Sequence, residues 1–147
     1  MEGLRDRTKA FALRVIKLYA SLPKTTMSDV FGKQLLRAGT SVAANFREAS
    51  RARSNAEFIA KLGTVEQELD ETMLWLEFLV EADIVPQQKL ASLQGEAEEL
   101  LKIIVATIKR SRTSKKHPKS TSRPLSQRSA FRSQLSALFQ IPTKPRI

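Results

Sequence analysis

The chain has no cysteine, so disulfides, thiolate metal sites and cysteine nucleophiles are excluded outright. It has one histidine, His117, and aromatic residues make up only 6% of its 147 residues. Base-stacking platforms and histidine-based acid–base chemistry therefore have little to work with. Glycine (5) and proline (6) are scarce, and most of the prolines lie near the C-terminus, so the first two-thirds of the chain favours uninterrupted helices. No window reaches the roughly 18 consecutive apolar residues of a membrane span. The N-terminal MEGLRDRTKA is charged and unlike a signal sequence, so a cytoplasmic protein is expected, with no membrane partner.

What is present is a helical pattern and an uneven charge. Hydrophobic residues make up 41% of the chain, enough for one modest core. Net charge is +10, and it falls in blocks: residues 1–53 carry +7, 54–99 carry −9, 100–112 carry +4 and 113–147 carry +8. The acidic middle is set to pair with the basic blocks, within the fold or between subunits. A wholly basic tail points to an anionic partner such as nucleic acid.

The pattern centres on residues 54–81. Phe58, Leu62, Val65, Leu69, Thr72, Leu76 and Leu79 alternate spacings of four and three, a narrow stripe of the kind helices show when their neighbours run nearly parallel or antiparallel. Ser54 and Glu57 form an S-x-x-E capping box, in which the Ser oxygen takes the N–H three residues on and the Glu reaches back. Trp75, the only tryptophan, flanks the stripe and is expected in the core or a subunit interface.

Around this helix three others are expected. The first runs from about Leu4 to Ser21 with Leu4, Thr8, Phe11, Val15, Leu18 and Leu22 on its seam, and Pro23 ends it. The second covers about Ser28 to Ala52, capped by Thr26 or its neighbours Thr25 and Ser28. It is rich in small residues, and Gly39, which costs about 1 kcal/mol against Ala in a helix interior, implies close packing. Asn45 shares a heptad register with Phe31 and Ala38, so it is expected to be buried and to set register. The fourth begins at Pro86 and carries Leu90, Leu93, Ala97, Leu100 or Leu101, Ile104 and Ile108 to about Arg112.

The expected architecture is all-α: an antiparallel up-down four-helix bundle over residues 1–112, followed by a basic, largely disordered tail over 113–147. That tail is rich in Ser, Thr, Lys, Arg and Pro. Within it Phe131, Leu135, Leu138 and Phe139 fall at i, i+4, i+7 and i+8, a possible short amphipathic helix at 129–141. No cofactor is expected. Di-iron bundles need Glu-x-x-His pairs on facing helices, and His117 lies outside every helix, which also removes a helical nuclease built on Arg and His.

The stretch QLLRAGTSVAANFREASRARSNAEFIAKLGTVEQELDETMLWLEFLVEADIV, from Gln34 to Val85, resembles the bacterial four helix bundle protein family. That family includes the protein encoded in 23S rRNA intervening sequences and is related to the accessory variability protein of diversity-generating retroelements. The most specific pieces are Ser41-Val42 with Asn45, Arg47-Glu48-Ala49, Arg51-Ala52-Arg53-Ser54, Glu57-Phe58 and Glu68 through Leu76. Many members read S-I-x-x-N-I-x-E-G here; this chain has Phe46 for the second Ile and Ala49 for the Gly. The resemblance covers about residues 5–112. It implies a bundle assembled as a homopentameric ring, which in the retroelement relative presents basic surface to nucleic acid and to a reverse transcriptase.

The function expected is a non-enzymatic oligomeric module that binds RNA or DNA or a ribonucleoprotein, as an accessory factor to a reverse transcriptase in one version. The alternative is a protein–protein scaffold whose tail docks a partner protein. Arg37, Arg47, Arg51, Arg53, Lys61, Lys115, Lys116 and Arg123 are the candidate phosphate contacts. Asn45, Ser54, Glu57 and Trp75 are the candidate structural residues.

Overall fold

A computed structural model describes residues 2–114, and these fold as four helices with no strand among them. They are α1 (Glu2–Ser21), α2 (Thr26–Ala49), α3 (Asn55–Glu81) and α4 (Gln87–Thr113). Lys115, Lys116, His117, Arg123 and the 129–141 island lie outside the described residues. None of the described helices is long and apolar enough to cross a membrane.

The α3 seam buries as its spacing dictates: Phe58, Leu62, Val65, Leu69, Thr72, Leu76 and Leu79 are all buried. Thr72 is the one polar member, and its hydroxyl donates to the Glu68 carbonyl at 2.7 Å, so its burial leaves nothing unsatisfied. α2 packs against α3 most extensively, then α1 on α2 and α3 on α4; of these four seams α1–α4 is the thinnest. That last seam is held at the surface. Arg7 grips Glu96 with two hydrogen bonds of 2.6 and 3.0 Å, and Arg14 donates to Ser92 at 2.9 Å.

The close α1–α2 approach has a visible cause. A Cβ on Gly39 would lie 2.8 Å from both methyls of Val15, and one on Gly32 would lie 2.7 Å from the Tyr19 ring and 2.8 Å from a Leu22 methyl. These two glycines let α1 sit directly on the α2 backbone, as the small residues of α2 led one to expect. On α4 the stripe of Leu90, Leu93, Ala97, Leu100, Ile104 and Ile108 is buried, with Leu101 only half-buried at its edge.

Several ends shift by a residue or more. Thr25 is the α2 cap, its Oγ1 accepting from the Ser28 N–H at 3.2 Å. α2 stops at Ala49 instead of Ala52. The chain must reverse there for α3 to lie on α2, so the Arg51 and Ala52 N–H groups close three-residue turns onto Glu48 and Ala49, and the Ser50 hydroxyl takes the Arg47 carbonyl at 2.7 Å. Pro86 sits one position before α4, its carbonyl accepting from Lys89. α3 closes with a Schellman motif: Asp83 N–H bonds Val80 O and Ile84 N–H bonds Leu79 O, each at 3.0 Å, with Asp83 at φ 57°.

One expectation about a single residue is corrected. Asn45 is half-buried, not buried, and its amide donates to the Ser41 carbonyl of its own helix at 2.9 Å. The buried line of α2 runs instead through Leu35, Ala38, Gly39, Val42, Phe46 and Ala49. Asn45 lies on the rim of that line, and its amide bonds its own helix and no other among the described residues. Trp75, expected in the core or a subunit interface, is half-buried and packed against the edge of the core. It lies over the α2–α3 seam with ring centroids 5.9 Å from Phe31 and 5.6 Å from Phe78, and its N–H donates to Glu71 at 3.3 Å.

Candidate nucleic-acid interface

In an up-down bundle, the starts of α1 and α3 share one end with the finishes of α2 and α4. Side-chain contacts fix this directly. Lys61, early in α3, pairs with Glu48 at the close of α2, and Asn55 at the α3 start donates to the Ser111 carbonyl of α4 at 3.0 Å. Basic residues distant in sequence thereby converge. Arg47, Arg51 and Arg53 come from α2 and the turn after it, Lys109, Arg110 and Arg112 from the last turns of α4, and Arg5 from the first turns of α1.

All seven are exposed, and their side chains have no hydrogen-bond or ion-pair partner among the described residues. Arg47, in the last turn of α2, and Arg51, in the turn after it, line a shallow surface groove with Ala43, Ala44 and Glu48. The small alanine floor leaves the arginine forks uncrowded. The carbonyl ends of α2 and α4 also point this way, and arginines in a last turn complement that negative dipole end. Segment 115–147, with eight Lys or Arg and no acid, is joined to the chain at this same end.

The turn between α2 and α3 is rigidly tied. Ser54 Oγ accepts from the Glu57 N–H at 3.1 Å, as the capping box requires. Glu57 reaches back one residue further than expected, accepting from the Arg53 N–H at 2.9 Å instead of the Ser54 N–H. Its carboxylate thus fixes the Arg53 backbone while the guanidinium projects outward.

Arg37 and Lys61 have different surroundings. Arg37 lies midway along the α2–α3 seam, pinned between Glu68, at 3.4 Å, and Glu71. Its hydrogen bond to Glu71 raises its pKa above the usual arginine value, against a smaller opposing effect of burial. The same bond holds the Glu71 carboxyl below the usual carboxylate range, with a smaller share from the Trp75 N–H. Lys61 is engaged by Glu48. Both cations therefore neutralise acids of their own fold, while Arg47, Arg51 and Arg53 do not.

Nothing in the spacing along the chain ties Lys109, Arg110 and Arg112 to the arginines near the close of α2. The signal that assigns them to the arginines of α2 is topological: with four antiparallel helices, the C-terminal turns of the second and fourth must be neighbours in space. Among the described residues no three His, Cys, Asp or Glu side chains come together as a metal site. The depression at the opposite end is lined by Tyr19, Leu22, Pro23, Thr25, Ser28 and Asp29, and in it the Tyr19 hydroxyl donates to Asp29 at 3.2 Å.

A family model described as 23S rRNA-intervening sequence protein matches residues 4–106. Among solved structures, the chain is similar to a protein of unknown function from the S23 ribosomal protein family of Bacteroides thetaiotaomicron VPI-5482. Identity is 37% and the TM-score 0.68, over 72% of this chain and 98% of that one. No curated protein matches the chain.

Proposed function

The chain belongs to the 23S rRNA-intervening sequence protein family, and from that premise we propose that it is a non-enzymatic, homo-oligomeric module that binds nucleic acid through the basic end of its bundle. The observation that carries this reading is the convergence of exposed, unpaired Arg47, Arg51, Arg53, Lys109, Arg110 and Arg112 at the end where the basic segment begins. A cluster of guanidinium groups with few aromatic residues around it suits phosphate oxygens and the shape of a helix better than base edges. The nucleic acid is therefore read by its backbone, RNA by preference because the family model is named for an rRNA element.

A ring of five copies, the assembly implied by the family resemblance, multiplies this weak electrostatic contact. Each added copy raises the effective concentration of arginines along one strand. A reverse-transcriptase partner rests on that resemblance alone. The protein–protein scaffold is the second reading, and the engagement of Arg37 and Lys61 by acids of the same fold favours it for the flank of the bundle.

The test is binding of a short RNA duplex, and a DNA duplex of the same sequence, across a salt titration. The expected result is a log–log slope of roughly −0.7 to −0.9 for each phosphate neutralised. Affinity that is flat between low and moderate salt overturns the proposal. A chain ending at Ser114 keeps every one of these bundle residues: duplex binding that persists in it supports the nucleic-acid module, and loss of a protein partner alone supports the scaffold.

A further inference from the structure

Six large apolar side chains are exposed among the described residues, and four of them gather at one place. Met27 and Val30, each 52% exposed, lie in the first turns of α2; Leu74 and Phe78, 42% and 37% exposed, lie in the last turns of α3. Antiparallel packing brings these turns together, for the Phe31 ring stands 5.8 Å from Phe78 and 5.9 Å from Trp75. Phe78 packs on these rings within the protomer and still shows more than a third of its surface, while Phe31 and Trp75 are half-buried beside it. Met27 stands one turn before Phe31, and Leu74 one turn before Phe78, so the patch runs along both walls of the seam.

The rim of this patch on α3 is acidic. Asp70 stands four residues before Leu74, Glu77 three after it, and Glu81 three after Phe78. All three are exposed and without a partner among the described residues. The chain's own segment 129–141, outside the described residues, has the complementary pattern. Phe131, Leu135, Leu138 and Phe139 fall at helical spacing, and Arg128 and Arg132 stand three positions before Phe131 and Leu135, so on one edge of that stripe. No acid occurs anywhere in 115–147. The connection is also long enough. The residues between Ser114 and Phe131 can span at most roughly 55–60 Å, whereas α3 is about 40 Å long from end to end.

We infer that the occupant of the patch is segment 129–141 of the same chain, docked as a short fifth helix over Met27, Val30, Leu74 and Phe78 with Arg128 and Arg132 toward the acids of α3. A helix of this length is marginal alone in water, and the patch supplies the apolar surface that its stripe needs. Tethering makes the contact intramolecular, at an effective concentration on the order of a millimolar. Charge selects the site. The other exposed apolar pair, Leu13 and Ile16 on α1, stands among Lys9, Arg14 and Lys17, with no acid between Arg7 and Ser21, and repels a basic segment. Docking also strings Lys115, Lys116, Lys119 and Arg123 along the bundle from its basic end to the patch.

Trp75 is the only tryptophan and lies in the patch, so its fluorescence reports docking in the full chain. Phe131→Asp and Leu135→Asp together in one chain alter nothing in the bundle. They are expected to shift Trp75 emission to longer wavelength and to raise its quenching by acrylamide above wild type, with the thermal unfolding of the bundle retained. Ser133→Asp, on the far side of the same segment, is expected to keep the wild-type shielding. Glu77→Lys with Glu81→Lys should expose Trp75 as well, and adding Arg128→Glu and Arg132→Glu to that chain should restore its shielding. Emission and quenching unchanged by Phe131→Asp and Leu135→Asp overturn the docking, whether the patch is then bare or covered by a second copy. Equal exposure in Ser133→Asp overturns the apolar face assigned to the segment. Shielding regained when the Phe131→Asp, Leu135→Asp chain is mixed with a Trp75→Phe chain, whose own segment is intact, overturns docking within one chain.

Discussion

Arg37 and Arg47 stand on one helix, ten residues apart, and have opposite surroundings. Arg37 lies where α2 packs along α3, with Glu68 and Glu71 across the seam and Trp75 behind them. Arg47 lies where α2 runs out, beside a reversing turn and the finish of α4, and meets no acid. The middle of the seam is thus electrically closed and the end of the bundle electrically open. The difference teaches that net charge alone says little about a basic helix. What decides is whether the neighbouring helix brings acids to the same height.

The largest effect expected is on the closed region. Leu69→Ala truncates a fully buried side chain in the centre of α3, and should lower unfolding free energy by about 2–5 kcal/mol in a denaturant titration. Duplex binding per folded molecule should not change. The converse follows at the open end. Replacing Arg47, Arg51 and Arg53 together by Ala should leave thermal unfolding within about 0.5 kcal/mol of wild type. The log–log salt slope of duplex binding should become shallower by about 0.9 for each arginine that meets a phosphate. Unchanged binding would place the interface elsewhere.

Arg37→Ala is the sharper control, because it removes the same charge from the same helix. Its cost should be no more than about 1 kcal/mol, since the pair is half exposed and screened, and duplex binding should persist. The effect carries a pH signature. Arg37 holds the Glu71 carboxyl low, so the pair's contribution is complete above the ordinary glutamate value of about 4.3 and is lost as pH falls through the lower folded value. Urea titrations of wild type and Arg37→Ala should therefore converge at acid pH and separate toward neutrality. The smallest expected effect is Asp83→Gly. Relief of the left-handed conformation at φ 57° should raise stability by about 0.5 kcal/mol without touching either region.

Much of the fold was legible because each helix buries one stripe and few breakers interrupt it. All seven α3 seam positions and the Ser54 cap follow from spacing and from which groups a helix start leaves unsatisfied. Asn45 was misread because heptad bookkeeping assumes one narrow seam. α2 lies between α1 and α3 and buries a wider arc, whose edge a half-buried amide can occupy while bonded to its own helix. The α2 finish was placed three residues late for a related reason: Ser50, Arg51 and Ala52 are acceptable helix formers, and only the need to turn α3 back onto α2 ends the helix at Ala49. The basic end was half legible. The arginines of α2 were evident, but their meeting with Lys109, Arg110 and Arg112 required the order of helices in space.

The amino-acid sequence by itself determined the four helices, the apolar stripes that hold them and the sorting of charge into blocks, because period, caps and composition are local properties of the chain. Tertiary structure alone decided which charges cancel. Ion pairing depends on what lies within a few ångströms, and packing four antiparallel helices brought Glu68 and Glu71 to Arg37 and Glu48 to Lys61 while leaving Arg47, Arg51 and Arg53 facing solvent.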